Sequence, residues 1–329
     1  MIVTDTLLRE TRLRFPELEA EQVKITSIEK GGSERKFYRV QFAPGNSIVL
    51  VKYEPGETEN QRYVEIAEFL ATHKIRAPEI YFHDPAKGLI WLEDLGERDL
   101  WSYREESWEI RRPLYESALV EVAKLHRVTA ADSAEIKRDL PAQFDAALYL
   151  WEQSYFFEQC LGRRFGMPAE KWRALAELPA LRSIAEQLAS YPRVLVHRDF
   201  QSQNIILREE KACLIDFQGM RPGLGEYDLA SLLYDPYVRL TSKEHQELSD
   251  FYQARAEIAD SAFTERLRLC AMQRLMQALG AFGYLGLVRQ RQEFLGHIPA
   301  ALYSLGEIVA GIGGLEELQR ELTHLSPRG

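Results

Sequence analysis

Three oxygen-bearing side chains with fixed spacing follow apolar runs in the middle of the chain. Asp199 lies in the stretch His197-Arg198-Asp199, Asn204 comes five residues later, and Asp216 ends a second apolar run. A phosphoryl-transfer site needs a carboxylate near the attacking hydroxyl and two oxygen ligands for magnesium. Each residue alone would more simply end a strand or begin a turn. As a spaced set, H-R-D-x-x-x-x-N followed by I-D-F, they predict phosphoryl transfer.

Phosphoryl transfer also needs a cation over the nucleotide phosphates, and Lys52 ends the apolar run "SIVLVKY". The next segment has helical periodicity, with Glu59, Tyr63, Ile66 and Leu70 on one face. We therefore predict that Lys52 contacts the phosphates and that Glu59 orients it. A solvated lysine and a glutamate that only favours the helix dipole are the simpler alternatives.

A glycine pair precedes the strand that is paired with the Lys52 strand, in "KGGSERKFYRV". Gly31 and Gly32 permit close approach of the backbone to a ligand, and Ser33 offers a hydroxyl and an amide. Glycine pairs in hairpins are more often simple turns. Because this pair lies before the strands that lead to Lys52, we predict that it contacts phosphate.

The elements that must position these residues change character along the chain. The N-terminal third carries β-rich runs and one periodic helix, whereas long helices dominate after Gly96, interrupted by the strand and loop block around Asp199. The pattern predicts an α+β, bilobal chain with a small antiparallel sheet and a larger helical lobe. We expect an N-terminal lobe over residues 1–92, a hinge over 93–97 and a helical lobe over 98–329. A hairpin edge would bring the polar side chains of the interrupting block together.

Composition excludes several classes of function. The net charge of −9 disfavours nonspecific binding of nucleic acid or anionic membranes, and no apolar run has the length of a membrane span. The start of the chain does not resemble a signal peptide, so we expect a cytoplasmic protein. Cys160, Cys213 and Cys270 lie in apolar contexts and predict reduced core thiols.

Three stretches resemble the aminoglycoside phosphotransferase family, small-molecule kinases with a protein-kinase-like fold. "VLVHRDFQSQN" is similar to the family's catalytic loop, "LIDFQG" to its metal-binding segment and "EYDLASLLYD" to the helix that follows. The resemblance spans about residues 25 to 310 and implies an ATP-dependent kinase that uses Mg²⁺. It implies that Asp199 is the catalytic base, that Asn204 and Asp216 are magnesium ligands and that Lys52 binds phosphate.

Further roles come from the same resemblance. The backbone of Glu93 to Leu95 is similar to the hinge that binds adenine, and Asp228 resembles a buried aspartate that braces the catalytic loop. His197 is similar to a packed support of that loop. His126 is most simply a helix-terminal residue.

Within the family, the chain resembles bacterial kinases of the amino sugars N-acetylmuramate and N-acetylglucosamine. "SERKFYR", "DFQGMRPG" and "QRLMQALGAFGYL" carry this similarity. It implies transfer to the anomeric hydroxyl, a sugar 1-phosphate as product, and a link to a nucleotidyltransferase that acts on that product. Polar residues near the catalytic loop or on the neighbouring helices are the candidates for contact with this substrate: Gln201, Gln218, Arg221, Glu152 and Arg274.

Two alternatives remain open from the sequence. A kinase of another small alcohol, such as an aminoglycoside, choline or homoserine, would differ only in the acceptor pocket. A non-catalytic nucleotide-binding regulator would be expected to have lost part of the set Asp199, Asn204, Asp216 and Lys52, and all four are present.

Overall fold

The computed structural model describes residues 3–18, 22–28, 35–43, 46–56, 58–134, 136–138 and 140–325. Its strands are β1 (Lys24–Ile28), β2 (Lys36–Ala43), β3 (Asn46–Lys52), β4 (Ile80–Asp84), β5 (Leu89–Glu93), β6 (Val194–Val196), β7 (Ile205–Arg208), β8 (Lys211–Leu214) and β9 (Arg221–Gly223). Its α-helices are α1 (Val3–Arg14), α2 (Thr58–Thr72), α3 (Trp108–His126), α4 (Ala146–Phe156), α5 (Ala169–Ala176), α6 (Pro179–Ser190), α7 (Gly225–Leu233), α8 (Ser242–Ala256), α9 (Phe263–Leu287), α10 (Ile298–Val309) and α11 (Glu316–Leu325).

The N-terminal strands form an antiparallel sheet in the order β1-β2-β3-β5-β4. Alternation along the central strand β3 sends Ile48 and Leu50 into one apolar cluster, with Leu7 of α1, and Val49 and Val51 into the main core. Both faces of β3 are therefore buried. This explains why its sequence is a continuous apolar run up to Lys52.

Helix α2 covers the second face of the sheet, as its periodicity predicts. Tyr63, Ile66 and Leu70 are buried, whereas Glu65 and Glu68, which lie off that stripe, are exposed. Burial of this apolar stripe fixes which side of α2 faces the segment that follows β8, where Tyr63 stacks on Phe217.

The helical lobe is organised around α9, whose residues are mostly buried. Helices α4, α7 and α10 pack against α9, and α4 continues into a π-helical stretch over Phe157–Arg164. The antiparallel sheet and this helical lobe confirm the predicted α+β, bilobal class. The three cysteines are buried and free, which confirms the predicted core thiols. Among the described residues, no helix is long and apolar enough to span a membrane.

The residues between α6 and α7 form two pairs of strands, whereas the sequence predicted a single hairpin. Strands β7 and β8 form the expected hairpin, with Ile205 opposite Leu214, so Asn204 and Asp216 lie at the same end of it. The strand before Asp199, β6, pairs instead with β9, which the sequence did not predict. Two separate two-stranded sheets therefore position the polar residues of the block.

Candidate active site

The loop from His197 to Asn204 is braced by a buried carboxylate on α7. Asp228 is fully buried and accepts hydrogen bonds from the backbone N–H groups of His197 at 2.6 Å and Arg198 at 2.8 Å. Arg198 has a φ of 79°, a left-handed conformation that a residue with a side chain rarely adopts. Such a conformation persists where the surroundings hold it. The bracing role predicted for Asp228 is confirmed by these bonds.

Asp228 also connects the loop to the end of α3. His126 Nε2 lies 3.0 Å from Asp228 Oδ2, and His126 Nδ1 lies 2.6 Å from the Tyr252 hydroxyl. A carboxylate only accepts, so Nε2 donates to Asp228 and Nδ1 accepts from Tyr252. His126 is the last residue of α3, which confirms the helix-terminal prediction, and its side chain is in addition buried in this hydrogen-bonded chain.

Three further hydrogen bonds join the segments that carry Asp199 and Asp216. His197 Nε2 lies 3.0 Å from the carbonyl oxygen of Ile215, and Ile215 N donates to the carbonyl oxygen of Asn204 at 3.0 Å. Asn204 Nδ2 in turn donates to the carbonyl oxygen of Asp199 at 2.9 Å. The structure therefore brings Asp199, Asn204 and Asp216 onto adjoining segments, with His197 as a packed support between them.

Asp199 lies in a strongly positive environment. Its carboxylate is 28% exposed and 3.6 Å from guanidinium nitrogens of both Arg198 and Arg274. Burial alone would raise the pKa of Asp199, but the charges of Arg198 and Arg274 outweigh burial and hold the pKa below its usual value. Smaller contributions in the same direction come from His197 and Arg221. Asp199 is therefore an ionised acceptor of low basicity at neutral pH.

Two of the predicted substrate residues contact each other next to Asp199. Arg274 of α9 donates to Ser231 Oγ at 2.9 Å and to Gln201 Oε1 at 3.2 Å. The Arg274 side chain is only 9% exposed. These bonds orient the arginine towards Asp199. Contact of Arg274 and Gln201 with substrate stays a prediction.

Asp216 follows β8 with a φ of 62° and is 40% exposed at its side chain. Its Oδ1 accepts from Arg35 Nη2 at 2.6 Å and from Gln218 Nε2 at 2.8 Å, and Gln218 Oε1 accepts from Arg35 Nη1 at 3.0 Å. Gln218, a predicted substrate contact, therefore belongs to the surroundings of Asp216 in this structure.

The donor set around Asp216 fits a magnesium ion that is shared with a nucleotide. Asn204 donates from its amide nitrogen to the carbonyl oxygen of Asp199, which leaves its amide oxygen as the atom that could bind a metal. Within the described part of the chain, no three His, Cys, Asp or Glu side chains cluster as a metal site. Magnesium commonly binds one or two protein oxygens together with substrate phosphates and water, so a protein-only cage is not required. Asn204 and Asp216 are the residues that could hold it.

The predicted phosphate contacts are only partly within the described residues. Lys52 is the last residue of β3, where its strand partners are Lys36 and Leu89. Among the described side chains no carboxylate forms an ion pair with Lys52. Glu59 lies in the first turn of α2, but its side chain is outside the described set, so its pairing with Lys52 stays a prediction. Gly31, Gly32 and Ser33 also lie outside the described residues.

The segment predicted to bind adenine connects β5 to the helical lobe. Glu93 ends β5 and forms an ion pair with Arg208 of β7. Leu95 is 8% exposed and packs with Ile206 and Cys213 of the β7–β8 hairpin. Side chains of this segment thus hold the sheet against the hairpin, and its backbone remains the predicted adenine contact.

Arg221 and Glu152 flank the Asp199 loop from the helical lobe. Arg221 of β9 donates to the carbonyl oxygen of Gly219 at 3.2 Å and lies 5.6 Å from the centre of the Phe144 ring. Glu152 of α4 is 1% exposed, and its Oε1 accepts from the Tyr227 hydroxyl at 2.8 Å. Its second oxygen has no hydrogen-bond partner among the described residues. Burial raises the pKa of Glu152 to about 7, although Tyr227 and nearby arginines act against burial.

Because the pKa of Glu152 is raised, the Glu152→Gln substitution should change how the free energy of unfolding depends on pH. Between the usual pKa of 4.5 and about 7, folded Glu152 holds a proton that the unfolded chain has released, so folding loses stability as pH rises through this window. Gln keeps an acceptor for Tyr227 and does not ionise. We expect the free energy of unfolding of Glu152→Gln, relative to that of wild type, to increase by about 2–3 kcal/mol between pH 5 and pH 8. Urea denaturation at both pH values measures this difference.

Glu158→Gln is the matched control, because Glu158 is half exposed and pairs with Arg163 on the surface. It should shift stability by less than about 0.5 kcal/mol at either pH. A difference between Glu152→Gln and wild type that stays constant from pH 5 to 8 would contradict a buried, titrating Glu152.

Two residues at the site were missed by sequence reasoning. Arg35 lies in the quoted stretch "SERKFYR" but received no role, and its contact with Asp216 joins residues 181 positions apart. Arg198 was noted only as part of the H-R-D pattern, and its charge is the main factor that counters burial at Asp199. The surplus of arginines around the loop was the available signal.

Comparison with known proteins places this geometry in a family. An N-acetylmuramate/N-acetylglucosamine kinase of Pseudomonas aeruginosa is 28% identical over 309 residues, which covers 90% of this chain and 87% of that protein. A protein of the same name from Pseudomonas putida is 25% identical, and the match covers 92% of this chain and 88% of that protein.

The ADP-bound crystal structure of the aminoglycoside phosphotransferase APH(2'')-Ib shares the fold, with a TM-score of 0.62 at 14% identity over 91% of this chain and 98% of that one. This likeness confirms the protein-kinase-like fold. Residues 24–267 match the APH phosphotransferase enzyme family, so the chain belongs to that family and is an ATP-dependent phosphotransferase.

Proposed function

We propose that the protein transfers the γ-phosphoryl group of ATP to the anomeric hydroxyl of an amino sugar, N-acetylmuramate or N-acetylglucosamine, and forms the sugar 1-phosphate. The observation that carries this proposal is the match to two kinases named for both sugars over about nine tenths of the chain. At 90% and 92% coverage of this chain, those matches include most of the sheet and most of the helical lobe.

The electrostatics of Asp199 support an acidic acceptor hydroxyl. The surrounding arginines keep the pKa of Asp199 low, so it is a weak base. A base of low pKa takes a proton more readily from an acidic hydroxyl, and an anomeric hydroxyl is more acidic than an ordinary alcohol. Arg198 and Arg274 would also attract the negative charge that develops on the transferred group.

In the proposed reaction, Asp199 orients the anomeric hydroxyl and accepts its proton. The anomeric oxygen bonds to the γ-phosphorus as the bond from phosphorus to the bridging oxygen of the departing ADP breaks. Lys52 and the Gly31–Ser33 segment would hold the phosphates, and Glu59 would orient Lys52. Magnesium bound at Asn204 and Asp216 would neutralise charge on the phosphate oxygens. Most of the barrier reduction then comes from positioning.

The division of labour follows the predicted boundaries. Residues 1–92 would bind the nucleotide, residues 93–97 would act as hinge and contact adenine through Glu93 to Leu95, and residues 98–329 would bind the acceptor. Of the acceptor candidates, Arg221 and Glu152 would contact the acceptor from the helical side of the Asp199 loop. Gln201, Gln218 and Arg274, which bond other site residues, would contact it beside Asp199 and Asp216. A cytoplasmic location and a nucleotidyltransferase that consumes the product are consistent with an ATP-dependent route to a sugar 1-phosphate.

A panel of acceptors tests the proposal. The purified chain is incubated with ATP, Mg²⁺ and either N-acetylmuramate, N-acetylglucosamine, an aminoglycoside, choline or homoserine, and phosphorus NMR identifies the phosphorylated position. We expect a 1-phosphate from the two amino sugars only. The methyl glycoside of N-acetylglucosamine is the matched control and should give no product, because its anomeric oxygen is blocked.

The other results have distinct meanings. Phosphorylation at another sugar hydroxyl, or of choline, homoserine or an aminoglycoside alone, would replace the anomeric assignment with another small-alcohol kinase. If the protein bound ATP but formed ADP in the presence of no acceptor of the panel, the result would favour a non-catalytic nucleotide-binding regulator.

A further inference from the structure

Arg35 closes a ring of hydrogen bonds around one oxygen of Asp216. Arg35 Nη2 donates to Asp216 Oδ1 at 2.6 Å, Arg35 Nη1 donates to Gln218 Oε1 at 3.0 Å, and Gln218 Nε2 donates to Asp216 Oδ1 at 2.8 Å. Both donors use the same carboxylate oxygen. Among the described residues, no hydrogen bond to Asp216 Oδ2 is formed.

The Arg35 side chain is itself held in place. It is only 7% exposed, and its guanidinium lies 5.6 Å from the centre of the Phe37 ring and 5.7 Å from that of Tyr63. Tyr63 of α2 stacks on Phe217, the residue after Asp216, with ring centres 4.6 Å apart. Arg35 therefore spans from the start of β2 to the segment after β8 through a contact that is supported at both ends.

We propose that Arg35 is a positioning residue for Asp216: together with Gln218 it fixes Oδ1 and leaves Oδ2 to the metal ion that accompanies the nucleotide. This inference rests on the proposed function, since it assumes that Asp216 is a metal ligand. Carboxylates that bind metals are themselves oriented by hydrogen bonds, and loss of such a bond weakens metal binding. Because Arg35 directly precedes β2 of the sheet and Asp216 follows β8 in the helical lobe, the arrangement of the lobes sets the orientation of the ligand.

We expect Arg35 to keep its contact with Asp216 when the metal ion binds. A guanidinium this buried costs free energy when it loses its carboxylate partner. The planar fork also matches Asp216 and Gln218 at the same time, which a lysine ammonium cannot reproduce. Displacement would break both contacts, whereas coordination through Oδ2 requires neither to break.

The test measures binding of Mn²⁺, as a spectroscopic substitute for Mg²⁺, to the protein with a non-hydrolysable ATP analogue. Electron paramagnetic resonance reports free Mn²⁺ and needs no turnover. We expect Arg35→Gln to weaken Mn²⁺ binding about tenfold or more, and Arg35→Lys to weaken it by less, because the charge remains without the fork. Affinity for ADP in the presence of a chelator should stay within about twofold of wild type.

Arg112→Gln is the matched control, because Arg112 is 50% exposed and, among the described residues, forms ion pairs with Glu116 and Glu247 on the surface of the helical lobe. Its Mn²⁺ affinity should equal that of wild type. Thermal unfolding of each variant establishes that it is folded, and Arg35→Lys carries the test if Arg35→Gln does not fold.

Three results would overturn the inference. Tighter Mn²⁺ binding in Arg35→Gln would mean that Arg35 competes with the metal, and unchanged binding would mean that it does not act on the ligand. Weaker binding of ADP without metal would make Arg35 a phosphate contact instead. Failure of the wild-type protein to bind Mn²⁺ with the nucleotide would count against the proposed function itself, so the two failures are distinguishable.

Discussion

Asp199→Asn is expected to lower kcat about a thousandfold. The substitution keeps the size and one acceptor oxygen of the side chain but removes its ability to take a proton, and general base catalysis contributes about 10²- to 10⁴-fold. Asp199 does not belong to the sheet that carries Lys52, so ATP affinity should change less than about threefold. Steady-state kinetics with N-acetylglucosamine and calorimetric titration with ATP measure the two effects separately.

Asp250→Asn is the control for this variant, because Asp250 is exposed on α8 and, within the part of the chain that the structure describes, accepts a hydrogen bond from Gln246 on the same helix. Its kcat should match that of wild type. The pH profile adds a second check: since the pKa of Asp199 is held low, its protonation should produce no acid limb in kcat/KM above about pH 5. Wild-type kcat in Asp199→Asn would remove Asp199 from the mechanism.

Asp228→Ala is expected to reduce the free energy of unfolding by about 4 kcal/mol. The substitution leaves the buried N–H groups of His197 and Arg198 and the His126 imidazole without their acceptor. Each buried polar group without a partner costs free energy. Arg198 would also lose the bond that holds its left-handed conformation, so kcat should fall as well. Urea denaturation followed by circular dichroism measures the stability change.

Asp250→Ala is the corresponding surface control, and we expect it to change the free energy of unfolding by less than about 0.5 kcal/mol. Asp228→Asn keeps one acceptor oxygen and should fall between wild type and Asp228→Ala. If Asp228→Ala unfolded at the same urea concentration as wild type, the loop would be held by other contacts.

The elements of this protein follow from local patterns in the sequence. The apolar run that ends at Lys52 is a strand buried on both faces, and the periodic face with Tyr63, Ile66 and Leu70 is the buried face of α2. The spacing of Asn204 and Asp216 also predicts their placement, because two residues that flank a short hairpin must lie at the same end of it. The roles assigned to these site residues remain predictions from pattern and resemblance.

The sequence by itself therefore determined the change from a strand-rich N-terminal third to a helical remainder, the bilobal class and the spaced set of Asp199, Asn204 and Asp216, because hydrophobic period and turn residues act over a few positions. Only the tertiary structure decided that β6 pairs with β9, that His126 is buried against Asp228, and that Arg35 reaches Asp216. These contacts join residues far apart in the chain. No local period encodes them. They form because folding brings distant segments together, and buried polar groups are then paired with one another.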